Sequence, residues 1–167
     1  MRDLEQKLVE ALANGQHWTH KPWQKIIIVV EGVFSMEGSI INLPEVKRLK
    51  QKYKAYLYVD EAHSIGAFGK TGRGVCDHFN IDTSEIDLLM GTFTKSFGSA
   101  GGYLAGTKKL IDHIRVNSHS FAYASSMAAP IARQTILALR TIMRCESGSE
   151  GILMTTLIMP SLRLIKL

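Results

Sequence analysis

The run Lys25–Glu31, KIIIVVE, constrains this chain more than any other stretch. Consecutive β-branched side chains lose rotamer freedom in a helix and pack well on a pleated sheet. An apolar run without alternation is expected of a strand buried on both faces, as in parallel sheets. It is far short of the ~18–20 residues that a membrane span needs. Three more short runs follow: AYLYVDE (Ala55–Glu61), IDLLMGTFT (Ile86–Thr94) and GGYLAG (Gly101–Gly106). Between the first two strands, LPEVKRLKQKY predicts a helix with Pro44 in its first turn. Strand–helix–strand alternation of this kind argues for an α/β layered sheet.

The flanking segments are helical in pattern. Leu4, Leu8 and Leu12 form an i, i+4 stripe over Asp3–Ala13, which Asn14-Gly15 ends. TKKLIDHIRV and APIARQTILALRTIM predict two later helices. After CESGSEG, the stretch ILMTTLIMPSLRLIKL is apolar but has neither a helical nor a strand period. It reads as a divergent tail, 145–167, following one domain, 1–144. With 167 residues the chain is long enough for one ordinary domain with a real core.

Charge and cysteines exclude several classes of function. The net charge of +5 is diffuse, and its densest run is KRLKQKYK, Lys47–Lys54. At helical spacing that run predicts the solvated face of a helix. Interleaved aromatics and an arginine stripe are missing, so no nucleic-acid partner is expected. Cys76 and Cys145 lack metal-ligand spacing and read as reduced thiols in a non-oxidising compartment. No metal site is expected. The start, MRDLEQKLVEAL, is amphipathic and charged, unlike a signal peptide. The chain reads as soluble, with no transmembrane segment.

In an open α/β sheet, functional groups gather beyond the carboxyl ends of the strands. Asp60, Glu61 and His63 directly follow one apolar run, and Lys95 follows LLMGTFT. Ser35 lies just past the first strand. If the strands are parallel, all three ends face one crevice. Each residue alone has a plainer reading: a capping aspartate, a structural histidine, a loop lysine. Together they suggest pyridoxal phosphate. The lysine amine would bond the cofactor aldehyde. A carboxylate would keep the pyridine nitrogen protonated, and hydroxyls with glycine amides would hold the phosphate. Such a lysine is expected to be desolvated or close to positive charge. Asp60 and Lys95 are 35 residues apart, room for one connection and one more strand, which predicts adjacent strand ends.

Two stretches carry a family resemblance: EGVFSMEGSIINLPEVKRLKQKYKAYLYVDEAHSIGAFGKTGRG and DLLMGTFTKSFGSAGGYLAG. They resemble the α-oxoamine synthases, fold-type I pyridoxal-phosphate enzymes that condense an amino acid with an acyl-CoA and lose carbon dioxide. KYKAYLYVDEAHSIG and VNSHSFAYASSM are most similar to the catalytic long-chain-base subunits of eukaryotes. The resemblance implies a type I aminotransferase-like large domain, truncated at both ends. It implies Lys95 as the cofactor-bonding lysine, Asp60 at the pyridine nitrogen and His63 near the phenolic oxygen. It further implies Thr92 at the phosphate, Ser35 near the phenolic oxygen, and Ser125 and Ser126 toward a neighbouring subunit's phosphate. The implied substrates are L-serine and a long-chain acyl-CoA (palmitoyl-CoA), giving 3-ketosphinganine in sphingolipid synthesis. The implied partner is a non-catalytic subunit, or a second copy, and the implied place is the cytosolic face of the endoplasmic reticulum membrane. A member acting on glycine with a short acyl-CoA, or a fragment that only binds the partner, are the alternatives. The usual GPTGRG and FGASGG are here GKTGRG and FGSAGG. The family's upstream ring-stacking histidine and its downstream carboxylate-binding arginine have no match, so the chain alone is expected to be inactive.

Overall fold

The computed structural model of the chain describes residues 1–143. Its helices are α1 (Arg2–Asn14), α2 (Leu43–Tyr53), α3 (Gly74–His78), α4 (Lys108–Asn117), α5 (His119–Tyr123) and α6 (Ala129–Met143). Its strands are β1 (Ile27–Glu31), β2 (Tyr56–Asp60), β3 (Leu88–Thr92) and β4 (Gly102–Gly106). All four strands and all four longer helices coincide with the sequence patterns above. The short α3 and α5, and a 3-10 turn at Thr83–Glu85, have no periodic signal and were not expected. The tail read at Cys145–Leu167 lies outside the described residues.

Local chemistry explains the element ends. The Asn42 side chain accepts a hydrogen bond from Glu45 N–H at 3.2 Å, capping α2 ahead of Pro44. Lys54, at φ 52°, ends the same helix in the left-handed conformation. Gly15, at φ 65°, ends α1.

The sheet order is β1-β2-β3-β4. The first three strands are parallel, with Val29 beside Tyr58 beside Leu88, and Glu31 beside Asp60 beside Met90. β4 returns antiparallel, placing Gly102 opposite Thr92. The adjacent ends of β2 and β3 are therefore those expected from the Asp60–Lys95 spacing.

The core lies on one face. Leu8 of α1, Leu43, Val46 and Leu49 of α2, and Val75 and Cys76 of α3 pack with Ile28, Leu57 and Val59 of the sheet. Cys76 is a free thiol, and burial pushes its pKa up to about 12. Leu57 is fully buried at the centre of this layer. Leu57→Ala is expected to destabilise the chain by ~2–5 kcal/mol, read from urea unfolding midpoints at constant m-value. A loss below ~1 kcal/mol would mean that the layer collapses around the cavity.

The other face overturns one expectation. β1 is not buried on both sides: Ile27 is 60% exposed and Val29 66%. Tyr56 and Leu104 on the same face are 47% and 41% exposed. The reason is that α1, α2 and α3 all pack against the alternate residues Ile28, Leu57 and Val59. Unbroken hydrophobicity reports that a strand can be covered twice; it does not supply the second layer.

The lysine-rich run also does more than face solvent. Lys47 pairs with Glu85. Lys50 Nζ meets Asp87 Oδ2 at 2.7 Å and Glu85 O at 2.6 Å, tying α2 to the turn before β3. Lys52 Nζ meets Glu5 Oε1 at 2.6 Å, tying α2 to α1. Among the described residues, no helix is long and apolar enough to cross a membrane.

Candidate active site

Asp60 ends β2 on the open face, in register with Glu31 and Met90. Its Oδ1 accepts from Ala62 N–H at 2.8 Å, so one oxygen caps the turn that follows. Tyr58 lies two residues earlier on that face, and burial, then the Asp60 charge, raise its hydroxyl pKa. The turn after Asp60 carries His63. Its Nε2 lies 2.7 Å from Lys95 Nζ, across 32 residues of sequence. A protonated Lys95 donates to a bare Nε2, which leaves the ring proton on Nδ1.

Lys95 stands in the loop joining β3 to β4, and the glycines around it make that loop close. Phe93 N–H donates to Gly101 O at 2.9 Å, Ser99 N–H to Phe93 O at 2.9 Å and Gly98 N–H to Lys95 O at 3.1 Å. Gly98 and Gly101 take φ of 54° and 87°, where side chains are strained. Phe97 is buried beneath the loop, edge-on to Phe93 with centroids 5.6 Å apart. The chain can thus return as β4 while Lys95 stays at the strand end.

Thr92 Oγ1 donates to Gly101 O at 3.1 Å and lies 2.7 Å from Thr94 Oγ1, which is then the donor of that pair. Thr92 Oγ1 also accepts from Thr94 N–H at 3.3 Å. A concavity of about 470 Å³ opens here, lined by Ala62, Met90, Thr92, Thr94, Lys95 and Leu104 among others. Lys95 itself is exposed, so the first of the two expected settings, a desolvated amine, is not met. The cause is the uncovered face described above, which leaves the concavity open to water.

The structure groups some of the sequence-predicted residues and not others. His63 and Lys95 touch, Thr92 sits at the end of the Lys95 strand, and Asp60 sits at the neighbouring strand end. Ser35 is exposed in the loop closed by the Val33–Ile40 bridge and makes no hydrogen bond to that group. Ser125 and Ser126 are exposed ahead of α6 and likewise make none. Their segment passes the Lys95 loop: a Cβ at Gly101 would meet Met127 Cε at 3.0 Å. Ser99 Oγ donates to Ile131 O at 3.2 Å, fixing α6 on the same loop.

Sequence reasoning named Glu61 beside Asp60 and His63 but gave it no role. It is 2% exposed, and its carboxylate accepts from Ser64 Oγ and from Val75 N–H. Burial raises its pKa, against the lowering effect of those hydrogen bonds. The signal was present: alternation through AYLYVDE puts Glu61 on the covered face with Leu57 and Val59. Among the described residues, no group of three or more His, Cys, Asp or Glu could hold a metal ion.

The chain is 58% identical over 151 residues to serine palmitoyltransferase 3 of Homo sapiens, covering 90% of this chain and 27% of that protein. It is 54% identical over 148 residues to long chain base biosynthesis protein 2b of Arabidopsis thaliana, covering 89% and 30%. A solved structure of SPT (serine palmitoyltransferase) with its PLP internal aldimine superposes with TM-score 0.72 and 30% identity, over 87% of this chain and 34% of that one. The chain thus spans 27–30% of the length of these two curated relatives. Residues 1–145 match the family of class I and II aminotransferases. With a match of that extent and a mixed α/β sheet shared with the solved relative, the chain belongs to the aminotransferase class I and II family and has the type I fold of its pyridoxal-phosphate enzymes.

Proposed function

We propose that this chain is part of the cofactor-binding large domain, residues 1–144, of a pyridoxal-phosphate enzyme. In that enzyme L-serine condenses with a long-chain acyl-CoA such as palmitoyl-CoA, carbon dioxide is lost, and 3-ketosphinganine forms. The observation that carries the reading is the 2.7 Å contact between Lys95 Nζ and His63 Nε2, at strand ends adjacent to Asp60 and beside the Thr92–Thr94 hydroxyl pair. The chain's similarity to proteins named serine palmitoyltransferase supports the reading.

The residues fit the cofactor. An amine, paired hydroxyls and glycines line a concavity of about 470 Å³, and the Asp60 carboxylate sits at the strand end paired with its lining residue Met90. Pyridoxal phosphate, when bound, supplies an electron sink for charge developing at the substrate Cα. Lys95 would hold the cofactor through its amine and would move protons at the substrate Cα. His63 orients the Lys95 amine. Asp60 would hold a proton on the ring nitrogen, a charge-assisted pairing that strengthens away from water. Thr92, with Thr94, would hold the phosphate; Ser35, Ser125 and Ser126 are exposed and are assigned no contact by this chain alone.

The partner in this reading is a non-catalytic serine palmitoyltransferase subunit, or a second copy, and the setting is the cytosolic face of the endoplasmic reticulum membrane. The chain alone is inactive, because an exposed lysine on an uncovered sheet face does not exclude water or hold two substrates in register. The test is serine-dependent release of CoA from palmitoyl-CoA, with pyridoxal phosphate, by the chain alone and with the partner subunit. Release is expected only with the partner and only with L-serine. Release with glycine and a short acyl-CoA instead would reassign the substrate, and clear turnover by the chain alone would show that the open face is no obstacle.

A further inference from the structure

The mechanism above uses Asp60 and His63 but not the residue between them that is most buried. Glu61 is fixed at every polar atom. Its N–H donates to Met90 O at 2.7 Å, extending the β2–β3 pairing by one residue. Its carbonyl accepts from Ser64 N–H at 3.0 Å and Ile65 N–H at 2.9 Å. Its carboxylate accepts from Ser64 Oγ, and from Val75 N–H at 3.1 and 3.2 Å to the two oxygens. His63 therefore lies inside a turn whose two ends are held by one side chain.

The seat of that carboxylate is shaped by glycines. A Cβ at Gly74, which has φ 81°, would lie 2.2 Å from Glu61 Oε2. A Cβ at Gly32 would lie 2.7 Å from Ser64 Oγ. The carboxylate is thus clasped between the β1 end, the His63 turn and the start of α3. Filling space does not need this. A buried carboxylate is costly unless its hydrogen bonds are made, and an apolar side chain would fill the same volume at less cost. What the bonds add is a fixed orientation for the turn.

We propose that Glu61 is a positioning residue of the candidate site: its carboxylate, seated on Ser64 and the Val75 N–H, locks the turn that holds the His63 imidazole against Lys95 Nζ. The proposal rests on the reading of Lys95 and His63 given above. Burial raises the Glu61 pKa, and the neighbouring Asp60 charge adds to the rise in a smaller degree. The opposing hydrogen bonds from Ser64 and from the Val75 and Cys76 backbone favour the ionised form, the form that accepts at both oxygens.

Three variants of the whole chain test this. Glu61→Gln replaces one acceptor oxygen by an N–H₂ group that cannot accept from Val75. Ser64→Ala removes one partner only. Gly74→Ala leaves Glu61 intact and drives a methyl group into its seat. Each is followed in two ways. The cofactor-free readout is NMR: the His63 tautomer and the nuclear Overhauser contact between the His63 ring and the Lys95 side chain. The second is the rate at which Lys95 takes a borohydride-stable pyridoxyl label. All three variants are expected to keep the wild-type circular dichroism, lose the His63–Lys95 contact, and label Lys95 on the order of tenfold or more slowly, since a 1 Å misplacement can cost about 10²-fold. Glu61→Gln combined with Ser64→Ala should be no worse than the stronger single change. Folded variants that keep the His63–Lys95 contact would overturn the proposal and leave Glu61 as a turn anchor. If Glu61→Gln does not fold, Ser64→Ala carries the same two readouts. If wild-type Lys95 takes no label, the cofactor reading fails, while the NMR contact still decides the positioning role.

Discussion

Lys95→Ala is expected to remove the borohydride-fixed pyridoxyl label from the chain completely. Lys70, Lys108 and Lys109 share the same region of sequence, but among these lysines only Lys95 touches an imidazole at a strand end. In wild type, peptide mapping should place the label on Lys95, and Lys70→Ala and Lys108→Ala should leave it there. On the proposed reading, in an enzyme assembled with a partner subunit, the same substitution would remove both the covalent tether and the proton carrier. The proton-transfer role alone is worth about 10²–10⁴-fold in rate, so the loss of turnover should be at least that large. Label spread evenly over several lysines would mean that the glycine loop presents an ordinary surface amine, and the proposed chemistry would fail.

On the proposed reading, Asp60→Asn should separate the observed turn-capping role from the proposed role at the ring nitrogen. Asparagine keeps a carbonyl oxygen able to accept from Ala62 N–H, so the turn that carries His63 is preserved. What it loses is the negative charge. A hydrogen bond to a charged group contributes roughly 1.5–3 kcal/mol, so condensation in the assembled enzyme should fall by roughly ten- to a hundredfold. Cofactor should still be retained by Lys95 and the threonines. The measurement is serine-dependent CoA release beside label uptake on the same preparation. Near-normal turnover would leave Asp60 as a cap of the turn after β2 and nothing more.

Much of this was legible before any coordinates. β-branched runs separated by an amphipathic helix dictate parallel neighbours, because a strand leaving one edge of a sheet returns in parallel only through a crossover. That logic placed Asp60 and Lys95 at adjacent strand ends, and the pairing of β2 with β3 has that register. Pro44 and Asn14-Gly15 marked their helix ends through backbone chemistry that acts within a few residues. α3 and α5 were not legible, since five residues are too few to display a period.

By itself, then, the sequence determined the four strands and the four longer helices, their order, the parallel frame and the set of side chains able to do chemistry. These follow from interactions between residues close along the chain, and period-2 alternation sorts each strand into two faces. It could not say which face would be covered. That depends on where α1, α2 and α3 dock, and they all dock on the side of Ile28, Leu57 and Val59, leaving Ile27 and Val29 open. The same docking buried Glu61, exposed Lys95 and turned the lysines of α2 into ties to Glu5, Glu85 and Asp87. The 2.7 Å contact of His63 with Lys95 belongs to that second class too. Contacts between residues distant in sequence form only when packing brings their elements together, and packing is decided by all the faces at once.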